Sequence, residues 1–152
     1  MSRYELLLTL HVLAAAAWFG AALLALVLVE LAARAGDLRG VVWLGEYDDA
    51  LAKFLFIPAS LVTLAAGLLL VLDGPWSFSE HGFTLVGLAV FAATFALGLG
   101  VIVPAGNRLR DAGRAGADEA SLEPLVHRYR NLSRIDVLLL TVVVVAMAWK
   151  PF

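Results

Sequence analysis

Long stretches without a formal charge constrain this chain more than any motif does. Leu6 to Val29 is 24 residues between Glu5 and Glu30, with Thr9 and His11 as its polar interruptions. Phe54 to Leu72 is 19 residues between Lys53 and Asp73, and Gly82 to Asn107 is 26 residues closing on Pro104-Ala105-Gly106-Asn107. Val137 to Trp149 is only 13 residues, so residues 131–136 must supply the rest of that span near an interface. A helix rising about 1.5 Å per residue needs about 20 apolar residues to cross a hydrocarbon core about 30 Å thick. Four transmembrane helices are therefore expected, over about 6–29, 54–72, 82–104 and 132–149. A lone strand in lipid leaves its backbone groups unpaired, and no ten-residue stretch alternates polar and apolar as a barrel strand would. The Val142-Val143-Val144-Val145 run prefers strand in water, but in lipid the backbone requirement outweighs that preference.

Composition gives the same class. The chain is 62% hydrophobic and 16% charged, with a mean hydropathy of +0.90, against roughly 45–50% and about 25% in soluble domains. That excludes an ordinary soluble globular protein and a disordered tail, and 152 residues allow one domain. The absence of cysteine excludes disulfides, thiolate zinc sites, iron–sulfur clusters and a cysteine nucleophile. A net charge of −2 argues against a nucleic-acid partner. The first apolar run far exceeds the 7–15 residues of a signal-peptide core and has only Arg3 before it, so it reads as a retained span. The Leu31–Ala35 stretch keeps cleavage as an alternative.

Basic residues set an expected orientation. Arg34, Arg39, Lys53, Arg108, Arg110, Arg114, Arg128, Arg130 and Arg134 lie in or beside the connections after the first and third spans, leaving Arg3 and Lys150 for the other side. Nine against two places the two longer connections in the cytoplasm, and both termini and the 73–81 connection outside. Trp76, Phe78 and Trp149 then mark the outer interface, and Trp43 and Tyr47 the inner one. In the third connection, 106–116 reads as a turn, and Ser121-Leu122-Glu123-Pro124 has the cap and early proline of a helix start. An amphipathic cytoplasmic helix over about 121–131 is expected to run into the fourth span, its arginines among anionic lipid headgroups.

Within lipid, helices associate through close packing of small residues. Ala17, Ala21 and Ala25 form one small-residue stripe and Ala92, Ala96 and Gly100 another, so the first and third spans are expected to approach closely. Pro58 should bend the second span and free a carbonyl for Ser60, Thr63 or a neighbour.

Intramembrane polar residues are the candidates for chemistry. His11 lies roughly 8 Å below the outer surface by helical rise, with Ala14, Ala15 and Trp18 on its face. Neutral imidazole is a common donor to haem iron, copper and zinc, and it equally hydrogen-bonds a group on a neighbouring helix. Both readings stand, with proton transfer as a third. His81, at the outer mouth of the third span, can pair with His11 or sit exposed beside Glu80. Met147, in the outer half of the fourth span, offers a thioether to copper(I) or simply packs. Asp136 is a carboxylate at the inner end of the fourth span with no basic residue at i±3 or i±4. A structural ion pair with Lys53 or Arg108 is expected over a proton relay. Glu30 and Arg34 are read as a surface pair. No nucleotide loop, nucleophile elbow, paired catalytic carboxylates or His-Glu-x-x-His signature appears.

Leu10-His11-Val12-Leu13 followed by Trp18-Phe19-Gly20 resembles the first helix of a group of bacterial membrane proteins. Phe56-Ile57-Pro58-Ala59-Ser60, continuing through Gly67 to Gly74-Pro75-Trp76-Ser77-Phe78, and the closing Ala146-Met147-Ala148-Trp149-Lys150-Pro151 narrow the match. Together they resemble the integral-membrane family called domain of unknown function 2269, over nearly the whole chain. The resemblance implies a small multi-pass bacterial protein of the plasma membrane and brings no activity. More loosely, the first helix is similar to copper-resistance D-type proteins and HemJ-type protoporphyrinogen oxidases. That likeness implies copper or haem b, and it carries to His11 alone, with Trp18 beside it.

The expected fold is an all-α, antiparallel four-helix membrane bundle. Its expected function is an accessory or structural membrane component. The alternatives are a haem- or copper-binding redox protein using His11 and a transporter or channel subunit, which would need a homo-oligomer to supply polar lining.

Overall fold

The computed structural model describes residues 2–74 and 82–149, and all regular structure within them is helical. Helix α1 (Arg3–Arg34) opens on a capping box. The Glu5 amide donates to Ser2 Oγ at 3.2 Å and the Ser2 amide to Glu5 Oε2 at 2.8 Å, so two backbone donors at the helix start are satisfied by side chains. The helix ends where Gly36 adopts φ +73°, and the Gly36 and Asp37 amides return to the Ala33 and Ala32 carbonyls. Asp37 then accepts from the Gly40 amide at 2.7 Å and starts α2 (Leu38–Gly45). The short α3 (Asp48–Leu51) leads through a π turn, Ala52–Phe56, into α4 (Ile57–Asp73).

The second half repeats these devices in the opposite order. Helix α5 (Gly82–Leu97) passes through a π turn, Gly98–Ile102, into α6 (Val103–Arg114). Gly116, at φ +77°, reverses the chain, with the Gly116 and Ala117 amides bonded to the Gly113 and Ala112 carbonyls. Asp118 accepts from the Ser121 amide at 3.0 Å and starts α7 (Glu119–Trp149). Both reversals need a left-handed residue, which glycine adopts without the Cβ penalty.

Four helical stretches, Arg3–Arg34, Leu38–Asp73, Gly82–Arg114 and Glu119–Trp149, are long and apolar enough to cross a membrane. They correspond to the four charge-free runs. The helices differ from expectation in three of their details. The third stretch does not stop at Pro104 but continues as helix to Arg114, because proline near the start of α6 follows a widened turn in which the Val103 amide donates to the Gly98 carbonyl. Ala105 and Leu109 of that extension are buried, which holds it helical. Pro58 is accommodated the same way, with the Ile57 amide reaching the Ala52 carbonyl. The Ser60 and Thr63 hydroxyls donate to the Ile57 and Ala59 carbonyls, not to the Phe54 carbonyl that Pro58 leaves without its usual donor. Finally, Asp118 rather than Ser121 caps α7, and Pro124 falls inside the helix.

Packing also departs from the small-residue expectation. Helix α1 lies along α4 and α7, and α5 lies along α7, while α1 and α5 have no comparable backbone approach. Those two helices meet instead through large rings: Trp18 and Phe91 stand edge to face with centroids 5.6 Å apart, and Phe91 stacks on Phe95 at 5.7 Å. Rings of that size hold the backbones apart, and Ala17, Ala92, Ala96 and Gly100 are exposed. Among the glycines that do permit close approach are Gly67, where an added Cβ would lie 2.9 Å from His11 Cε1, and Gly87, where it would collide with Met147 Cε.

Two buried clusters result. One, at the arginine-rich end, joins Val29, Val41, Val42, Ala105, Leu109, Leu122, Val126 and Tyr129. The other, further along the bundle, centres on Trp18, Ala22, Ala59, Val137 and Leu140.

Candidate functional site

His11 is held from α4. Its Nδ1 lies 2.8 Å from the Thr63 carbonyl oxygen, an acceptor, so the proton of a neutral ring sits on Nδ1 and donates. Gly67 leaves the space into which the ring edge fits. Thr63 in turn donates its hydroxyl to Ala59 at 2.8 Å, so that turn of α4 is itself braced. Trp18, two turns along α1, is buried and packs on Phe91. Met147 covers Gly87 on the α5–α7 contact, whereas His11 belongs to the α1–α4 contact, so the two lie on different helix interfaces. His81, Trp76, Phe78 and Lys150 lie outside the described residues. Among those described, no group of three or more histidine, aspartate or glutamate side chains could hold a metal ion.

A cavity of about 100 Å³ opens among the helices on the arginine-rich side of Trp18. Apolar side chains form most of its wall, including Trp18, Phe56, Phe95 and Ile102. The polar lining is Asp48, Ser60, Thr94, Tyr129, Ser133 and Asp136. Tyr129, Ser133 and Asp136 recur at four- and three-residue spacing and so share one face of α7. Both π turns contribute to the wall, through Ala52 and Phe56 on one side and Gly98, Leu99 and Ile102 on the other. Such widened turns redirect side chains and are frequent at functional sites.

Most of the polar lining is already partnered. Ser60, Thr94 and Ser133 donate to backbone carbonyls of their own helices at 3.0 Å. Tyr129 Oη lies 2.9 and 2.8 Å from the two carboxylate oxygens of Asp48, so the phenol donates to that carboxylate. Gly106 makes room for this pair, since a Cβ there would collide with Asp48 Oδ2. Asp136 has no hydrogen bond and no ion pair among the described residues, although it lines the same cavity. The expected ion pair with Lys53 or Arg108 is not formed: both cations are on exposed positions of their helices, and neither lines the cavity. Solvation explains this, because a long basic side chain on an exposed helix face gains more from water than from an apolar wall.

The arginines are instead spent on the surface of that end. Glu30 receives Arg134 Nε at 2.6 Å, with Arg130 at 3.6 Å and Arg34 at 3.8 Å, so it ties α1 to α7 rather than serving one neighbour on its own helix. Arg110 pairs with Asp49 at 3.1 Å, and Arg114 Nε with Glu46 Oε1 at 3.0 Å. Arg39 donates to the Gly113 and Ala117 carbonyls at 3.3 and 2.8 Å, satisfying the chain reversal before α7. The cavity and its two π turns were not foreseen from sequence; the repeated Phe56-Ile57-Pro58-Ala59 and Ile102-Val103-Pro104-Ala105 segments are the signal that marks them.

Compared with known proteins, residues 5–151 match the family model described as predicted integral membrane protein (DUF2269). The chain belongs to that family. No curated protein and no solved structure matches it.

Proposed function

We propose that this member of the predicted integral membrane protein family is an accessory or structural component of the bacterial plasma membrane, with no chemistry of its own at His11. The observation that carries this reading is the His11 ring fitted against Gly67, with Nδ1 bonded to the Thr63 carbonyl. A histidine used this way contributes an interhelical hydrogen bond of order 1 kcal/mol in lipid. Met147 over Gly87 does comparable steric work on the opposite contact. Protein purified in mild detergent should be colourless and free of copper, and His11→Ala should lower its thermal stability without changing its absorption spectrum.

One observation favours the redox alternative. A proton on Nδ1 leaves the Nε2 lone pair available, and metal-bound imidazoles commonly anchor their other nitrogen on a carbonyl in this manner. A Soret band or bound copper that His11→Ala removes would establish that reading in place of the first.

The arrangement we propose alternates direction at each span, with both termini extracytoplasmic and the Glu30, Glu46 and Asp118 end cytoplasmic, supported by the nine-to-two division of basic residues. The chain lacks cysteine, so single cysteines introduced at Glu123 or Ser2 report sidedness directly. The Glu123 position should react with an impermeant maleimide only from the cytoplasmic face, and the Ser2 position only from outside.

A further inference from the structure

We propose that Asp136 is a reversible proton-binding site, reached through the central cavity from the arginine-rich end. The cavity that Asp136 lines draws its wall from α1, α3, α4, α5, α6, α7 and both π turns, and the titratable groups it takes from the described residues are few. Helices α1, α4, α5 and α6 contribute none; α3 contributes Asp48; α7 contributes Tyr129 and Asp136 itself. Among the described residues, no lysine, arginine or histidine lines it. The Asp48 carboxylate is stabilised by the Tyr129 hydroxyl, and Arg110 beyond it is bound to Asp49. Asp136 has neither kind of partner among the described residues, and Val137, Phe95 and Trp18 line the same cavity.

An unpaired carboxylate in such surroundings is resolved in one of two ways: it binds a cation or it binds a proton. A dehydrated metal ion requires several oxygen ligands converging on one point. Here the serine and threonine hydroxyls are turned to their own backbones, and no cluster of three acidic or histidine side chains exists among the described residues. A proton needs only one carboxylate oxygen. It comes from cavity water in exchange with bulk water, converting the carboxylate to the neutral acid, and returns the same way. The route faces one end, because Ser133, Tyr129 and Asp48 continue the polar line toward the arginine-rich surface, whereas Val137 and Leu140 close the other side as buried apolar groups.

Dicyclohexylcarbodiimide, an apolar reagent that attacks protonated carboxyls, tests this on the intact wild-type chain in proteoliposomes, with the modified residue found by mass spectrometry. The expected result is modification of Asp136, falling about tenfold for each pH unit above its titration midpoint and following the pH on the arginine-rich side alone. Asp136→Asn should abolish that adduct and remove a pH-dependent carboxylic-acid carbonyl band from the infrared spectrum. Three results overturn the assignment: no adduct at Asp136 at any pH, an adduct indifferent to pH, or a rate governed by the pH of the opposite side. Protection by sodium or potassium chloride at fixed pH and constant ionic strength would also overturn it, by making the ligand a metal cation. Because the wild-type adduct and infrared band are read without any variant, a misfolded Asp136→Asn protein does not remove the test.

Discussion

At the arginine-rich end the side chains of Val41, Leu109 and Leu122 are sealed completely, whereas along the apolar stretches large residues point outward, Leu13 at 64% exposure and Leu138 at 65%. The two regions obey different solvents. Where water surrounds the protein, removing apolar surface from it is the main driving force, and α1, α2, α6 and α7 close over a shared core. Where lipid surrounds it, burial of leucine gains little, and the contacts rely on fit: a histidine edge on Gly67, a methionine on Gly87, rings meeting at Trp18 and Phe91. The end cap is thus expected to carry the cooperative stability of the fold, and the spans to carry its specificity of contact.

The largest test of that division compares two leucines. Leu109→Ala, at a fully buried position, should cost about 2–5 kcal/mol. Leu13→Ala, at an outward-facing one, should stay within about 0.5 kcal/mol, as measured by thermal or denaturant unfolding in detergent. Equal losses would break the comparison. Next in size is Gly87→Val, which drives a side chain into Met147 and should cost about 1–3 kcal/mol by overpacking. Met147→Ala made in the same chain should restore part of that loss, which distinguishes a local steric conflict from a general glycine effect.

A smaller effect separates the regions by salt. Glu30→Gln removes the negative charge shared by Arg134, Arg130 and Arg34 and should lower the melting temperature. The deficit should shrink as ionic strength rises, because these side chains are partly in water. His11→Ala, whose bond lies among apolar helices, should show a loss that salt does not change.

How far the sequence foretold this follows the same boundary. The four apolar helices were legible because lipid demands length and apolarity from each segment on its own. Helices α2 and α6 were not, because they exist through contacts made across the chain: Val42 against Gly113, Leu109 inside the end cluster. Asp136 stood out as a lone carboxylate, but its isolation from Lys53 and Arg108 depends on three-dimensional placement. Asp48 and Tyr129, 81 residues apart, had no local pattern to join them. The spacing of Ala17, Ala21 and Ala25 suggested a close contact that the Trp18 ring prevents.

The smallest expected effect concerns the reversal before α7, outside the spans. The Ser121 hydroxyl beside it and the Ser121 amide, which donates to it, hold the Asp118 carboxyl pKa below the ordinary aspartate value. A carboxyl depressed on folding adds stability that is present above its unfolded pKa and is lost as pH falls through the folded one. Wild-type protein should therefore lose this contribution only in acid, below the usual aspartate range. Asp118→Asn, which keeps a capping oxygen but removes the charge, should be slightly less stable at neutral pH and should converge with wild type in acid. Because the carboxylate is fully exposed, the difference should be a small shift in melting temperature, below that of Glu30→Gln. A difference that persists unchanged to the acid limit would show that Asp118 acts by geometry alone, and the end cap would then owe its start to hydrogen bonding without a charge component.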